Sequence, residues 1–309
     1  MKIATMATGG IGGYLAVKLS LAGFQIATIA RGAHLRAIKE NGLILESVSG
    51  YEKIHPWIAT DNPSEIGTVD AIIFGVKCGA LEQAAKACKP MLKKNTVLIP
   101  FLNGVETIER LRKFLPQENI ANGVAKISTT IKAPGVIEQT GDFRTFIFAE
   151  CDNKPSERIR NLQKAITKAG AIAPETNDIE KEVWSKFILF SAISGVTTAG
   201  RCTIGQIIET PALSKIFRKI ISETTATALA YGLNLSSSFE KEAWKRAQEL
   251  PSSVRASTAV DLDKGLPLEV DWISGAVLRL AKAKGLHVPT NEIIYALLSP
   301  FKDGFQARL

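Results

Sequence analysis

What the first dozen residues can fold into is narrow. The run Lys2-Ile3-Ala4-Thr5-Met6-Ala7 has the length and texture of a strand, and it passes directly into Ala7-Thr8-Gly9-Gly10-Ile11-Gly12. Residues Ile11–Ala22 follow with apolar side chains at helical spacing. A strand that turns through glycines straight into a helix opens a βαβ unit, and the later glycines there have separate tasks. Gly9 lets the backbone approach a diphosphate, and Gly12 lets the helix lie close on the strand. The helix N-terminus, with its unpaired N–H groups and positive dipole end, then receives the anion. Ala7 stands where such a loop usually carries its first glycine, which requires a φ that alanine tolerates. A glycine turn by itself says little. Placed between strand and helix, it reads as a dinucleotide fingerprint, with Ala7, Thr8, Gly9, Gly10, Ile11 and Gly12 as the cofactor-binding residues.

The same alternation continues. Strands are expected at Gln25–Ala30, Val69–Val76, Thr96–Pro100 and Ile120–Ser128, with helices at Gly79–Leu92 and Val105–Phe114. Such an order implies a parallel sheet covered on both faces, a Rossmann-like doubly wound α/β fold. A turn at Lys132–Val136 should join two strands, the second ending near Thr140; Thr145–Ala149 and a helix over Pro155–Ala169 follow. After Pro174 the texture becomes helical, with segments at Ile179–Ser194, Ser214–Tyr231, Phe239–Glu249, Glu269–Lys284 and Glu292–Leu298. The expectation is therefore an N-terminal domain over 1–177 and an all-α C-terminal domain over 178–309.

Charge separates the function classes. The 38 Lys and Arg against 30 Asp and Glu give a formal charge of +8, but the cations are spread along the chain without interleaved aromatics. That favours an anionic cofactor and substrate over nucleic acid. No apolar run approaches the ~18–20 residues that span a bilayer, and the N-terminal run is too short for a signal peptide. A cytoplasmic protein with no membrane or nucleic-acid partner is expected. The four cysteines form no C-x-x-C pair and read as reduced, buried thiols. The three histidines make no metal-ligand pattern, so no metal is expected, and His34 reads as a surface loop residue.

The second strand ends at Ala30-Arg31-Gly32, where an NAD-specific fold places a carboxylate about 20 residues after the glycines. A guanidinium pairs with a 2′-phosphate that a carboxylate would repel, so Arg31 points to NADP(H). Its plainer reading is a solvated surface arginine. Strand Val69–Val76 delivers Lys77, and Thr96–Pro100 delivers Asn103-Gly104, to the end of the sheet where ligands bind. In the helical half, Lys186, Phe190 and Ser194 are spaced to share one helix face. Glu269 and Asp271 begin a late helix. Taken singly, Lys186 is an exposed helical lysine, Asn103-Gly104 a turn, and Glu269 or Asp271 a helix-dipole carboxylate.

Taken together they are less ordinary. The glycine loop, Arg31 with Gly-Ala-His after it, Asn41-Gly42-Leu43, Gly75-Val76-Lys77, Asn103-Gly104, Trp184-x-Lys186, Ser257 through Asp261, and Glu269-Val270-Asp271 with Gly275 resemble the ketopantoate reductase (2-dehydropantoate 2-reductase) family along essentially the whole chain. The resemblance implies a C-terminal domain like that of 6-phosphogluconate dehydrogenase. It also implies hydride transfer from NADPH to a 2-oxo acid in pantothenate and coenzyme A synthesis, in a site lying between the domains. Lys186 would be the general acid, with its pKa brought towards the working pH. Asn103 would orient the keto oxygen and the nicotinamide, and Glu269 would act with Lys186 in catalysis. Arg31 and Lys77 would bind the cofactor, and Lys186, Phe190, Ser194, Ser257 and Glu269 would line the substrate. The apolar residues of the helical half admit a homodimer.

The pattern departs at Phe190 and Ser194, where the family places asparagines. Phenylalanine offers only apolar surface to a polar substrate. A paralogous reductase of a more apolar 2-oxo acid is therefore the alternative, followed by an opine-forming or hydroxy-acid dehydrogenase. A non-catalytic NADP-binding sensor has no use for a proton donor, and retention of Lys186 and Glu269 argues against it. Ile188, Leu189, Ile193 and Val196 need no reading beyond core or dimer interface.

Overall fold

A computed structural model describes residues 1–305 and divides the chain into two compact units. The first comprises Met1–Leu102 and Thr107–Ile179; the second joins Asn103–Glu106 to the residues from Glu180 onward.

In the first unit the order is β1 (Lys2–Met6), α1 (Gly10–Leu21), β2 (Gln25–Ile29), α2 (Gly32–Asn41), β3 (Leu43–Ser47), β4 (Gly50–Ile54), β5 (Ile58–Thr60), β6 (Ala71–Phe74), α3 (Leu81–Ala87), β7 (Val97–Pro100), α4 (Thr107–Leu111), β8 (Ala121–Ala133), β9 (Val136–Glu150) and α5 (Glu157–Lys168). Five strands form a parallel sheet in the order β5-β2-β1-β6-β7. Every residue of β6 and β7 is buried, which is why they read as unbroken apolar runs. The chain winds outward from β1 through β2 to β5, then returns to β6 on the other side of β1. Beyond the C-terminal ends of β1 and β6 lies the crevice where such sheets take ligands.

A second sheet, β4-β3-β9-β8, covers the other face of α1. It holds the two largest differences from expectation. Ile120–Ser128 was expected in the parallel sheet, but β8 meets that sheet only through a bridge from Ile120 to Leu98 and instead pairs antiparallel with β9. The expected separate strands ending at Thr140 and starting at Thr145 are one, β9. The ladder shifts register between Ile127 and Thr129, so Thr140–Phe143 bulge out opposite Ser128. Gln139 closes the bulge by donating to the Phe143 carbonyl at 3.1 Å. The polar bulge, with Gly141 in it, interrupts the period that sequence reading depends on. Helix α1, caught between two sheets, is mostly apolar and contributes Tyr14, Leu15, Val17 and Leu19 to the core beside Phe101, Phe146 and Phe148.

The second unit contains α6 (Ile179–Ala199), α7 (Ile204–Glu209), α8 (Pro211–Ala230), α9 (Phe239–Gln248), α10 (Ser257–Asp263), α11 (Ser274–Ala283) and α12 (Pro289–Leu298). The short α7 and α10 were not anticipated, and neither were α2 and the β3–β4 hairpin. The helix expected from Glu269 begins instead as a 3-10 turn, Val270–Trp272, and is broken at Ile273 before α11. Val105–Phe114 shrinks to α4 because Asn103–Glu106 belong to the helical unit. The core gathers Trp184, Phe187, Ile188 and Val196 of α6 with Phe217, Ile220, Val277 and Ile294. Among the described residues no helix is long and apolar enough to cross a membrane.

Candidate active site

The glycine loop joins β1 to α1 at the C-terminal end of the parallel sheet. It is held by its backbone: the Thr8 N–H donates to the Ile29 carbonyl at 2.8 Å, and the Gly13 N–H to the Gly9 carbonyl at 2.7 Å. The Thr8 hydroxyl is buried against that of Thr5, 2.8 Å away. Three glycines are required for different reasons. A Cβ on Gly12 would collide with the Ala7 carbonyl, and one on Gly10 with the Thr129 carbonyl. Gly9 has φ −87° and would meet nothing closer than the Gly75 carbonyl at 3.8 Å, so the protein itself does not demand glycine there. The remaining reason is close approach from outside. No side chain caps the α1 N-terminus, so its first N–H groups face that approach. This cradle fits a dinucleotide diphosphate.

Arg31, exposed, is the N-cap of α2 directly after β2. Lys77, also exposed, follows β6 and precedes the 3-10 turn Cys78–Ala80. Gly75 lies close to the glycine loop: a Cβ on it would sit 3.2 Å from the Gly12 nitrogen. Ile11 is partly buried against the first core. His34 is not in a loop as expected. It sits half-buried on α2, with Nε2 2.8 Å from the Thr8 carbonyl and Nδ1 accepting from the Gly135 N–H at 2.9 Å. The sequence had no signal for this, because Gly135 is 101 residues away.

In the helical unit, Lys186 Nζ donates to Asn103 Oδ1 at 3.0 Å, across 83 residues of chain. One turn further along α6 the Phe190 ring lies beneath the same ammonium, 5.6 Å from nitrogen to ring centroid. Both side chains are half-buried. Ser194, a further turn on, is buried and donates to the Thr258 hydroxyl at 2.8 Å, tying α6 to α10. Ser257 is exposed at the first turn of α10.

Glu269, partly buried, precedes the Val270–Trp272 turn. That turn and the Asn103 segment are fastened together by Arg279, which pairs with Glu106 at 3.3 and 2.6 Å and donates to the Asp271 carbonyl at 2.8 Å. Gly104, at φ +138°, has its α-carbon facing the Trp272 carbonyl, 3.4 Å from where a Cβ would lie. The Asp271 carboxylate, in the first turn of Val270–Trp272, accepts from the Tyr295 hydroxyl at 2.8 Å, which raises the phenol pKa. Arg279, Glu106 and Tyr295 escaped the sequence reading; Glu106 and Arg279 are 173 residues apart. Among the described residues no cluster of three His, Cys, Asp or Glu side chains is placed to hold a metal. None of the four cysteines forms a disulfide; three are buried and Cys151 partly so.

Residues 3–152 match the family model described as "Ketopantoate reductase PanE/ApbA", and residues 178–302 match "Ketopantoate reductase PanE/ApbA C terminal". Among curated proteins, an uncharacterized oxidoreductase, YkpB, of Bacillus subtilis is 28% identical over 98% of this chain and 99% of its own. A 2-dehydropantoate 2-reductase of Mesorhizobium japonicum is also 28% identical, over 96% of this chain and 97% of its own. The crystal structure of a PanE/ApbA family ketopantoate reductase from Ralstonia eutropha superposes with a TM-score of 0.89 at 29% identity, covering 98% of each chain.

Proposed function

The chain belongs to the ketopantoate reductase family of oxidoreductases, and from that membership we propose that it reduces a 2-oxo acid to the 2-hydroxy acid with NADPH, ketopantoate being the leading substrate. The observation that supports this best is the bond from Lys186 to Asn103, which aims an ammonium from the middle of α6 at the segment after β7. Bound on the glycine loop, the dinucleotide supplies the hydride. As negative charge grows on the keto oxygen, Lys186 donates a proton to it and is later recharged from solvent. Asn103 fixes the direction of that ammonium. Arg279 and Glu106 keep the Asn103 segment and the Glu269 turn in register, and Glu269 acts with the lysine. Arg31 and Lys77 support selection of a 2′-phosphate by charge. Ser257 is assigned to the substrate carboxylate or hydroxyl. Ser194, engaged with Thr258, supports the wall rather than touching substrate.

Phe190 favours a second reading, a more apolar 2-oxo acid. It presents an aromatic face where the sequence resemblance implies an asparagine. A panel of 2-oxo acids, ketopantoate included, followed by oxidation of NADPH and of NADH, separates the possibilities. Turnover of ketopantoate with preference for NADPH is expected. Inactivity on ketopantoate with turnover of a branched or aromatic analogue would leave the second reading standing, and equal use of NADH would refute the NADP assignment.

A further inference from the structure

The ammonium of Lys186 has neighbours of different chemistry, among them a carboxamide and an aromatic ring. Asn103 Oδ1 accepts its hydrogen bond at 3.0 Å, while the Phe190 ring centroid is 5.6 Å from the same nitrogen. Lys186 and Phe190 are one turn apart on α6, so the helix places the ring beside the lysine stem. An aromatic face is negatively polarised; it attracts an ammonium but has no such attraction for a neutral amine. Ring and carboxamide together therefore hold the charged form and fix the line along which its proton leaves.

We propose that Phe190 is a positioning residue for the proton donor, holding the Lys186 ammonium against Asn103 and keeping it protonated to higher pH than an aliphatic neighbour would. This rests on the reading of Lys186 as general acid. It gives Phe190 a task other than shaping the substrate pocket.

The sign follows from the charge requirement. Reduction needs the ammonium, so kcat/KM falls as pH rises through the titration of Lys186. Leucine at 190 keeps apolar contact with the helical core but has no aromatic face. In F190L the alkaline limb should move to lower pH by roughly half a unit to one unit, as a cation–π contact of ordinary strength requires. Above the limb the ratio of parent to variant turnover should be roughly three- to tenfold greater than below it, where that ratio should not change with pH. F190Y, which restores the face, should return the limb to its parental position. Other charged groups on the surrounding elements are Glu180, Lys181 and Glu182 on α6, Glu106 with Arg279, Glu269 and Asp271 on the late turn, and Asp261 and Asp263 on α10, the last paired with Arg255. They are common to all variants, so the difference between profiles reports the ring.

The experiment is the pH profile of kcat and KM for the parent, F190L and F190Y, with K186A beside them. A displaced limb in F190L that F190Y restores supports the proposal. An unmoved limb overturns it, whether the variant shows a raised KM or a loss of kcat equal at every pH; the first would make Phe190 a substrate contact only, the second a packing residue only. K186A distinguishes the deeper failure. If it retains turnover and the alkaline limb, Lys186 is not the proton donor and the underlying reading falls; if it loses turnover while F190L leaves the limb in place, only the role of Phe190 falls.

Discussion

Two ring nitrogens of His34 join the glycine loop to the turn between β8 and β9. The Gly135 N–H donates to Nδ1, so the proton of the neutral ring sits on Nε2 and is given to the Thr8 carbonyl. Burial lowers the pKa of this ring. The unfolded chain, whose histidine titrates near 6.5, then takes up a proton before the folded one does. Stability from this source is complete above about pH 6.5 and is lost as pH falls below it toward the depressed folded pKa. Melting temperatures measured from pH 7.5 to 5 should fall in the parent, and the H34Q variant should show a flatter slope. H34A should cost about 1–2 kcal/mol at pH 7.5 by leaving two backbone groups unpaired. Gly12 offers a second test at this scale. G12A must displace the Ala7 carbonyl, at a cost of about 1–3 kcal/mol in chemical denaturation and with weaker NADPH binding. No gain in denaturation midpoint is compatible with the packing described.

Helix α12 shows what an element needs beyond its own sequence. Pro289 starts it, no side chain of its own caps it, and the orphan N–H groups are met by Glu223 of α8. That carboxylate accepts from the Thr290 and Asn291 N–H groups, both at 2.9 Å, and from Asn291 Nδ2 at 2.8 Å. Replacing it in E223A should cost about 1–2 kcal/mol in urea unfolding, and E223Q, which keeps an acceptor, clearly less. Elements with an intact period were legible: β1, β2, β6, β7, α1 and α8 lie within a few residues of their expected places. Elements lost to reading were those whose period is cut short or interrupted. Helices α7 and α10 are too brief to display an apolar stripe, and β9 carries a polar bulge in mid-strand.

At the scale of the whole molecule, the proposed cofactor residues Arg31 and Lys77 lie in one compact unit and the proposed proton donor Lys186 in the other, and the predictions separate accordingly. R31A should weaken NADPH binding by about tenfold or more, as loss of a charged hydrogen bond does, while kcat at saturation stays near the parental value. K186A should leave the NADPH dissociation constant intact and lower kcat by about 10²–10⁴-fold. Fluorescence titration of NADPH and steady-state turnover of the same preparations check both; a variant that loses both properties together would contradict the division. By itself the sequence determined the parallel sheet, the glycine cradle and the helical second half, because strand and helix periods and turn residues are written in neighbouring positions. It also marked Lys186, Asn103 and Glu269 as a set, through their resemblance to a family. Only the tertiary structure decided that Asn103–Glu106 join the helical unit, that Arg279 fastens them to the Glu269 turn, and that Ser194 turns to Thr258. Partners separated by 64 to 173 residues are chosen by packing and by the need of each buried polar group for a mate, and neither leaves a local pattern to read.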